Sequence, residues 1–363
     1  MTDRQKRILM GLVMGIVASL FVHHATRISG FVLTDLIDGY EYKSYDTRMK
    51  SQASFSEEAS IDDVVIIDIE QNSVESLGNY HEWPHAYHGQ LTDVVSSGNP
   101  KALIFDIIFD EKGADNYYLV DALASNQTEP SPELQQAADQ YLANNDPTQF
   151  VRSTSKSTVA HHALVFENSD SINFLYVMDQ LPEAYDAKNH VLDISPEIAE
   201  KLPTAERLGN TYFDLLTSAH GAGAANFPQD EDGIIRRAPT AIHFKGSGEV
   251  FPTLIFSAVM DILGIPANGF LYDFDNHLLR LRDTTGTTVR EIPIDEQGRM
   301  YVNYYGMFKT FYYIPYMYCF DPEMLDPSYW DGKVALVGSS LPGLMDLRNT
   351  PVQETFAGVE IHA

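Results

Sequence analysis

The clearest hydrophobic pattern in the chain consists of two short apolar runs with a helical segment between them. The runs are Asp63–Asp68 and Lys101–Asp106, and each ends in an aspartate. Between them, apolar residues recur at helical spacing over His85–Ser96, directly after Pro84, whose missing N–H needs no partner in a first helical turn. Continuous apolar strands of this length are typical of parallel sheets buried on both faces. The pattern therefore predicts a βαβ unit in which the two strands are neighbours.

Further runs extend this unit into a larger sheet. Thr158–Phe166 predicts a third parallel strand, Gly332–Gly338 predicts a last buried strand, and Phe251–Leu263 predicts a helix with one apolar face. Short runs that flank turns with glycine also predict two hairpins. These are runs 221–227 and 234–243 around Pro228–Gly233, and runs 278–283 and 288–292 around Thr284–Gly286.

Residues 8–22 form a continuous run of apolar and small residues, preceded by Arg4, Lys6 and Arg7. A cleaved signal peptide has a similar layout. Two observations favour a retained helix instead: no small-x-small cleavage site follows, and the apolar pattern continues to Ile37. The pattern is therefore longer than the roughly 20 residues that a bilayer requires. Because the basic residues precede the run, we expect the N-terminus to be cytoplasmic and the rest of the chain to lie outside.

The predicted organisation of the chain follows from this assignment. It comprises a cytoplasmic N-terminus (1–7), a transmembrane helix (8–28), a stalk and linker (29–60) and an extracytoplasmic domain (61–363). The predicted fold class is α/β, a mostly parallel sheet flanked by helices with added β-hairpins, preceded by the N-terminal transmembrane helix.

The composition limits the classes of function. With 363 residues, of which 44% are hydrophobic, the chain can form one large α/β domain or two smaller ones. Its formal net charge of -27 disfavours a nucleic-acid partner, because phosphates require a basic surface, and it disfavours docking of the main domain on anionic lipid. A single cysteine, Cys319, excludes an internal disulfide.

Acidic residues gather where the predicted strands end. Asp68 and Glu70 lie at the end of the first strand, and Asp106 and Asp110 at the end of the second. Ligands of open parallel sheets bind at the carboxyl ends of strands, so these side chains mark a candidate crevice. Asp68 and Asp106 are compatible with an acid/base pair, with a cation site, or with caps on neighbouring turns.

Other candidate sites have weaker support. Gly338–Ser340 offers backbone N–H groups to an anion, but a Leu-Pro pair follows and disfavours a helix start. His81, His85 and His88 are compatible with a transition-metal site, yet their place in a polar loop and first helical turn favours surface histidines. Asp230–Gly233 lacks the ligand spacing of a calcium loop and is interpreted as a turn. No catalytic signature motif is present, so we expect no catalytic residue, metal or cofactor.

A series of short landmarks resembles the CHASE type 2 domain, an extracytoplasmic sensor of bacterial receptors. The landmarks are Tyr45-Asp46-x-Arg48, Val65–Asp68, Trp83-Pro84, Gly98, Phe105-Asp106-x-x-Phe109, Asn226-x-Pro228-x-Asp230-x-Asp232-Gly233-x-x-Arg236, Phe251-Pro252, Asn303-Tyr304-x-Gly306, Gly332–Ser339, Asp346, Thr350-Pro351 and Gly358–Ala363. Their order and spacing carry the resemblance. Two departures from the family pattern are noted. His85 stands where the family usually has a basic residue. The family continues into further membrane helices and an effector, so we expect this sequence to be a receptor fragment that comprises the anchor and the sensor.

The resemblance implies a sensor region that relays a signal to a cytoplasmic effector, with an adenylate or guanylate cyclase as first candidate and a kinase as second. The chain itself is then expected to have no enzymatic activity. Strand ends and the following helix should converge near Asp68, Trp83, Asp106 and Ser339, which are the expected ligand-binding residues.

Four further residues are expected to support the structure or couple the domain to its flanking helices: Asp46, Arg48, Arg236 and Asp346. By spacing alone, Asp46 and Arg48 fit a solvated helix end. The expected partners are the membrane, a small-molecule or ionic stimulus, and a second copy in a homodimer. Two alternatives come from other classes: a metal-assisted extracytoplasmic hydrolase that uses the acidic pair, and a dimerisation module without a ligand.

Overall fold

The computed structural model describes residues 3–25, 32–55, 61–109, 120–121, 131–168, 177–178, 191–341 and 347–363. The chain divides into two units, Met1–Glu57 and Glu58–Ala363. Two of the expected functional residues, Asp110 and Asp346, lie outside the described residues.

The first unit contains two helices, α1 (Asp3–Ala25) and α2 (Val32–Phe55). The large apolar side chains of α1 between Met10 and Phe21 are 51% to 67% exposed. The predicted continuation of this helix through residues 26–31 lies outside the described residues. Among the residues that are described, no helix combines the length and the apolar character needed to cross a membrane. The transmembrane helix over residues 8–28 therefore stays a prediction.

The second unit is built on strands that form one large sheet and several small ones. The strands are β1 (Val64–Ile69), β2 (Ala102–Phe105), β3 (Ala160–Glu167), β4 (Val177–Met178), β5 (Thr204–Ala205), β6 (Arg207–Asn210), β7 (Gly221–Ala224), β8 (Arg237–Pro239), β9 (Ala241–Phe244), β10 (Val250–Pro252), β11 (Phe270–Asp273), β12 (Leu278–Arg282), β13 (Thr288–Pro293), β14 (Arg299–Tyr301), β15 (Tyr312–Pro315), β16 (Val334–Ser339), β17 (Leu347–Arg348) and β18 (Phe356–Ala357).

The second unit also contains α-helices, some of which pack on the large sheet. They are α3 (Gln71–Leu77), α4 (His85–Ser97), α5 (Pro132–Asn144), α6 (Thr148–Lys156), α7 (Pro196–Ala199), α8 (Phe213–Ser218), α9 (Leu254–Leu263) and α10 (Gly358–His362). The helix predicted over His85–Ser96 is confirmed as α4, with Pro84 at its N-cap.

The large sheet has the order β15-β1-β16-β2-β3-β6-β4, and β7 also pairs with β3. Strands β15, β1, β16, β2, β3 and β7 run parallel, while β6 and β4 add antiparallel pairings, so the predicted α/β class and mostly parallel sheet are confirmed. The prediction that the first two strands are neighbours is wrong. Strand β16 lies between them, with Val334 opposite both Val64 and Ala102. It is an apolar, buried strand whose backbone forms parallel ladders on both edges, as a central strand of the sheet does.

Helices lie on both faces of this sheet, as the continuous apolar strands require. Successive strand residues point to opposite faces, so Ile67 packs with Leu91 of α4 in one core cluster and Ile66 packs with Leu254 of α9 in another. Complete burial of each such side chain contributes about 1.5–3 kcal/mol of hydrophobic stabilisation. The two cores hold the strands rigidly and place their carboxyl ends at one edge.

The predicted hairpins have different outcomes. Strands β12 and β13 form an antiparallel pair, which confirms the second hairpin. The first hairpin is wrong: β7 pairs with β3, and the predicted run 234–243 is divided between β8, which pairs with β14, and β9, which pairs with β10. The helix predicted from Phe251 begins instead at Leu254, because Phe251 and Pro252 belong to β10.

Candidate functional site at the carboxyl end of the sheet

Three of the expected ligand-binding residues lie at the ends of three adjacent strands. In the sheet register, Asp68 of β1 is opposite Gly338 of β16, and Ile69 is opposite Ser339. The N–H of Asp106, which follows β2, donates to the carbonyl of Val337 on β16 at 2.9 Å. The strand order thus brings Asp68, Ser339 and Asp106 to one edge of the sheet, as expected for parallel strands.

Asp68 is a buried carboxyl group that is satisfied by the loop after β16. It accepts hydrogen bonds from the backbone N–H of Ser340 at 2.8 Å and from the Ser340 hydroxyl at 2.6 Å, and its residue is 2% exposed. Burial raises the pKa of Asp68 above its usual value, although the two Ser340 hydrogen bonds act in the opposite direction. Asp68 therefore holds this loop to the sheet.

The other polar groups near β1 also serve local structure. The Ser339 hydroxyl donates to the carbonyl of Ile69 at 2.8 Å. The Glu70 carboxylate caps α3 by accepting from the N–H groups of Asn72 at 2.6 Å and Ser73 at 2.8 Å. N-terminal N–H groups of a helix lack intrahelical partners, so this cap stabilises α3. Capping was considered for Asp68 and Asp106, and at the end of β1 it is Glu70 that caps a helix.

Trp83 lies in the hydrophobic core. Its indole N–H donates to the carbonyl of Gly78 at 2.7 Å, and its ring centroid is 5.0 Å from that of Tyr316. The residue is 4% exposed. These contacts give Trp83 a packing role in the core, away from the polar groups at the strand ends.

Asp106 contacts the last described helix. Its Oδ1 atom lies 3.4 Å from Nε2 of His362 on α10. The His362 ring also packs against Phe227, and the two ring centroids are 4.3 Å apart. Atom Nδ1 of His362 is buried and has no hydrogen-bond partner among the described residues. Sequence reasoning did not select His362, although it belongs to the landmark Gly358–Ala363.

Glu360, also on α10, binds the segment that leads into β15. Its carboxylate accepts from the N–H groups of Lys309 and Thr310, both at 2.9 Å, and from the Tyr313 hydroxyl at 2.8 Å. Burial raises the pKa of Glu360, and the hydrogen bonds oppose this shift. For Tyr313, burial and the nearby charges of Glu360 and Asp68 raise the pKa. Helix α10 is thus attached to both β2 and β15.

A cavity of about 240 Å³ lies beside α10. Its walls come from α10, the start of α9, strands β8 and β14, and the loop after β14. The lining residues are Ala224, Asn226, Phe227, Ala238, Pro239, Thr253, Ile255, Phe256, Met300, Val302, Asn303, Tyr304, Tyr305, Gly306, Thr310, Phe311, Phe356, Glu360, Ile361, His362 and Ala363. Several of these residues belong to the sequence landmarks. Because they are far apart along the chain, their pattern could not predict that they line one cavity.

Arg236 has a structural role in the turn that precedes β8. Its guanidinium donates to Asp230 at 3.1 Å and to Asp232 at 2.8 Å, and the residue is 1% exposed. The hydrogen bonds from Arg236 lower the pKa of Asp232 despite partial burial. These ion pairs engage the carboxylates of Asp230 and Asp232, which agrees with the interpretation of Asp230–Gly233 as a turn.

In the first unit, Arg48 donates to the hydroxyl of Ser44 at 2.5 Å within α2. Asp46 lies on the same helix. Coupling of these residues to the domain stays a prediction.

The prediction that His85 and His88 lie at the surface is wrong. They are 8% and 2% exposed, because the first turn of α4 packs into the aromatic core. The His85 ring stacks on Tyr212 at 5.5 Å, and Nδ1 of His88 is 2.9 Å from the Tyr316 hydroxyl. Burial lowers the pKa of His85 to about 4 and that of His88 well below its usual value. His81 is exposed, as predicted.

No group of three or more His, Cys, Asp or Glu side chains suited to a metal ion occurs within the described part of the chain. In a comparison with protein families, the family model described as the CHASE2 domain matches residues 17–363. Searches of curated proteins and of solved structures each returned no significant match.

Proposed function

Since this chain belongs to the CHASE2 domain family, a family of extracellular sensory domains, we propose that it is the extracytoplasmic sensor region of a membrane receptor. In this proposal, a stimulus changes the second unit and the change passes to a cytoplasmic effector. A nucleotide cyclase is the first candidate for the effector and a kinase the second. The support for this ranking is the family resemblance of the sequence.

The observation that carries the proposal is the attachment of α10 to the strand ends. Glu360 accepts hydrogen bonds from residues next to β15, and His362 lies 3.4 Å from Asp106 after β2. A Cβ atom at Gly338 would lie 2.6 Å from Val359, so β16 and α10 are also in close contact. A stimulus that favours one arrangement of the strand ends therefore also favours one position of α10.

The proposed membrane location has support from the sequence of the first unit. Arg4, Lys6 and Arg7 precede the apolar run at residues 8–22, which favours a cytoplasmic N-terminus if the run is inserted. The apolar side chains of α1 between Met10 and Phe21 are exposed, which is the arrangement that contact with lipid requires.

Protease protection tests this location. Intact cells, spheroplasts and lysed spheroplasts that express the protein are treated with a protease, and an antibody against the second unit follows its cleavage. If the envelope admits the protease, we expect cleavage of the second unit in intact cells, and otherwise we expect it in spheroplasts. The protein should also sediment with the membrane fraction. A cytoplasmic enzyme in the same cells is the control for leakage. Protection of the second unit until lysis would contradict the proposed topology.

A second experiment tests the relay through α10. Asp106→Asn and Glu360→Gln are placed in the receptor gene, and basal cyclic-nucleotide level and autophosphorylation are measured in cells. Asp93→Asn, an exposed change on α4, is the matched control. We expect both site variants to shift the basal output while the control leaves it unchanged. If both variants give normal output at a normal protein level, the contacts of α10 no longer support the proposed relay.

The hydrolase alternative gains no support from the site. Asp68 is engaged by Ser340, whereas Asp106 faces His362, so the two carboxyl groups have different partners.

The homodimer stays a prediction, and sedimentation velocity of the detergent-solubilised protein over a range of concentrations tests it.

A further inference from the structure

A carboxylate on α9 contacts two imidazoles that come from the large sheet. Atom Oδ2 of Asp261 lies 3.0 Å from Nε2 of His220 and 3.2 Å from Nε2 of His161. His161 belongs to β3, and His220 directly precedes β7, the parallel partner of β3. These three residues, called here the Asp261 cluster, therefore connect α9 to two neighbouring strands.

His161 is the fixed, buried member of the cluster. Its side chain is 0% exposed, and its Nδ1 atom lies 2.9 Å from the hydroxyl of Ser257 on α9. The Asp261 carboxylate favours the tautomer with the proton on Nε2, so Nδ1 accepts from Ser257. A Cβ atom added at Gly221 would collide with the imidazole, which leaves the ring no room to turn. Burial lowers the pKa of His161, so this imidazole is neutral near pH 7.

His220 is the member that exchanges protons with the medium. Its side chain is 36% exposed, and that of Asp261 is 45% exposed. The hydrogen bond with Asp261 raises the pKa of His220, which favours the charged imidazole. Protonation of His220 thus converts a neutral hydrogen bond into an ion pair. Because solvent screens an exposed pair, we expect a graded change in the attachment of α9.

Few ionisable groups surround the cluster within the described part of the chain. Asp261 is the only ionisable residue of α9, and β2, β7 and β10, which pack on α9, contain none. On β3, His162 points to the opposite face and Glu167 lies at the far end of the strand. The charges that act on Asp261 come from His161 and His220, and the charge that acts on His220 comes from Asp261.

Helix α9 shares a hydrophobic core with the last described helix. Leu254 and Ala258 of α9 belong to the same core cluster as Leu336 of β16 and Val359 of α10. Close-packed side chains transmit displacements to their neighbours. A change in how firmly α9 is held to the sheet therefore also changes the packing of α10.

We propose that the Asp261 cluster is a proton-binding site through which the second unit responds to the pH of its medium. With His220 protonated, the imidazolium and the Asp261 carboxylate hold α9 on β3 and β7. Loss of the proton leaves a neutral hydrogen bond and a weaker hold. The use of this response as a signal rests on the proposed sensor function, whereas the local response to pH does not.

Hydrogen exchange of the α9 amides tests the local response. The detergent-solubilised protein is measured by mass spectrometry at pH 6 and at pH 8.5, and the rates are corrected for the intrinsic pH dependence of exchange. We expect protection of α9 to fall as the pH rises, because the ion pair is present below the folded pKa of His220 and is lost above it. The fall should be about tenfold for each unit by which that pKa exceeds its value in the open state.

Two variants assign the response to the cluster. His220→Gln removes the titrating group, and Asp261→Asn removes the charge that it pairs with. In both, protection of α9 at pH 6 should equal that of the unaltered protein at pH 8.5 and should not fall further. His81→Gln makes the first exchange at an exposed position and is the matched control, which should behave as the unaltered protein does. The same pH dependence in all four proteins would overturn the proposal.

A measurement on the unaltered protein covers the case in which a variant fails to fold. The pH at which protection of α9 changes by half should coincide with the midpoint of the His220 titration observed by NMR. Midpoints that differ by more than one pH unit would contradict the assignment to His220.

The output of the receptor separates this proposal from the sensor function. In cells moved from pH 6 to pH 8.5, we expect the output to change in the unaltered receptor and not in His220→Gln. If the second unit is outside the cell and both receptors respond equally, the role of the cluster in signalling is overturned while the sensor function stands. Protection of the second unit from protease until lysis would overturn the sensor function and leave the local response of α9 intact.

Discussion

Atom Nε2 of His362 lies 3.4 Å from Oδ1 of Asp106, so the last described helix contacts the end of strand β2. The two residues are separated by most of the domain sequence. Their contact depends on the position of β2 beside β16 and on the close packing of β16 against Val359 of α10. The strand ends, the cavity and α10 are therefore one connected structure.

Removal of the Ser340 hydroxyl should destabilise the fold, because the buried Asp68 carboxylate then loses a hydrogen bond. We expect Ser340→Ala to lower the free energy of unfolding at pH 7 by about 1.5–3 kcal/mol, the range for a hydrogen bond to a charged group. Burial raises the pKa of Asp68 in the folded state, so this carboxyl favours folding more as the pH falls through its folded pKa. The loss caused by Ser340→Ala should accordingly diminish at lower pH.

Urea denaturation at several pH values measures this effect. Ser97→Ala is the control, because the Ser97 hydroxyl is exposed and donates to a backbone carbonyl. A loss that is equal at pH 7 and at pH 4 would show that the ionised form of Asp68 is not involved.

The buried His85 should make the fold sensitive to acid. Burial lowers the pKa of His85 to about 4 in the folded state, against about 6.5 in the unfolded state. Above pH 6.5 this residue therefore does not reduce the free energy of unfolding, and as the pH falls toward 4 its protonation favours the unfolded state. The expected loss from this residue is about 2 kcal/mol between pH 7 and pH 5.

The variant His85→Phe should reduce that loss and keep or raise stability at pH 7, since Nδ1 of His85 has no hydrogen-bond partner among the described residues. His81→Phe, at an exposed position, is the control. Thermal unfolding followed by circular dichroism from pH 7.5 to pH 5 gives the comparison, and parallel pH profiles for all three proteins would refute the assignment.

A methyl group at residue 338 should separate β16 from α10. In Gly338→Ala, the added Cβ would lie 2.6 Å from Cβ of Val359, so we expect a loss of about 1–3 kcal/mol. The double variant with Val359→Ala should recover part of it. Gly39→Ala is the control, because nothing lies within 4 Å of its added Cβ. Denaturant melts measure the set, and additive effects of the two exchanges would argue against direct contact.

A pair of histidines shares the Asp261 carboxylate on α9. Its Oδ2 atom is 3.0 Å from Nε2 of His220 and 3.2 Å from Nε2 of His161. The hydrogen bond with Asp261 raises the pKa of His220. Burial acts to raise the pKa of Asp261, but the hydrogen bonds and charges of the two imidazoles outweigh it, so the pKa of Asp261 is lowered. The stability that His220 contributes is present below its unfolded pKa and is lost as the pH rises through the folded one.

In an NMR titration, His220 should therefore show a pKa above 6.5, and Asp261→Asn should lower it. Asp93→Asn, an exposed change on α4, serves as the control. An unchanged His220 titration in Asp261→Asn would exclude the ion pair.

Local pattern alone determined much of this protein. The apolar run Asp63–Asp68, the helix after Pro84 and the hairpin of β12 with β13 follow from residue spacing and turn chemistry, which act over a few residues. The order of landmarks along the chain also identified the family, and that match covers residues 17–363.

The tertiary structure decided which distant segments meet. Nothing in the local pattern places β16 between β1 and β2, because strand pairing depends on the burial of whole faces rather than on neighbours in sequence. For the same reason His85 is buried in the first turn of α4, and His362 reaches Asp106. Spacing sets which side chains share a face of an element, whereas packing of complete elements sets what each face contacts, and the candidate site consists of such contacts.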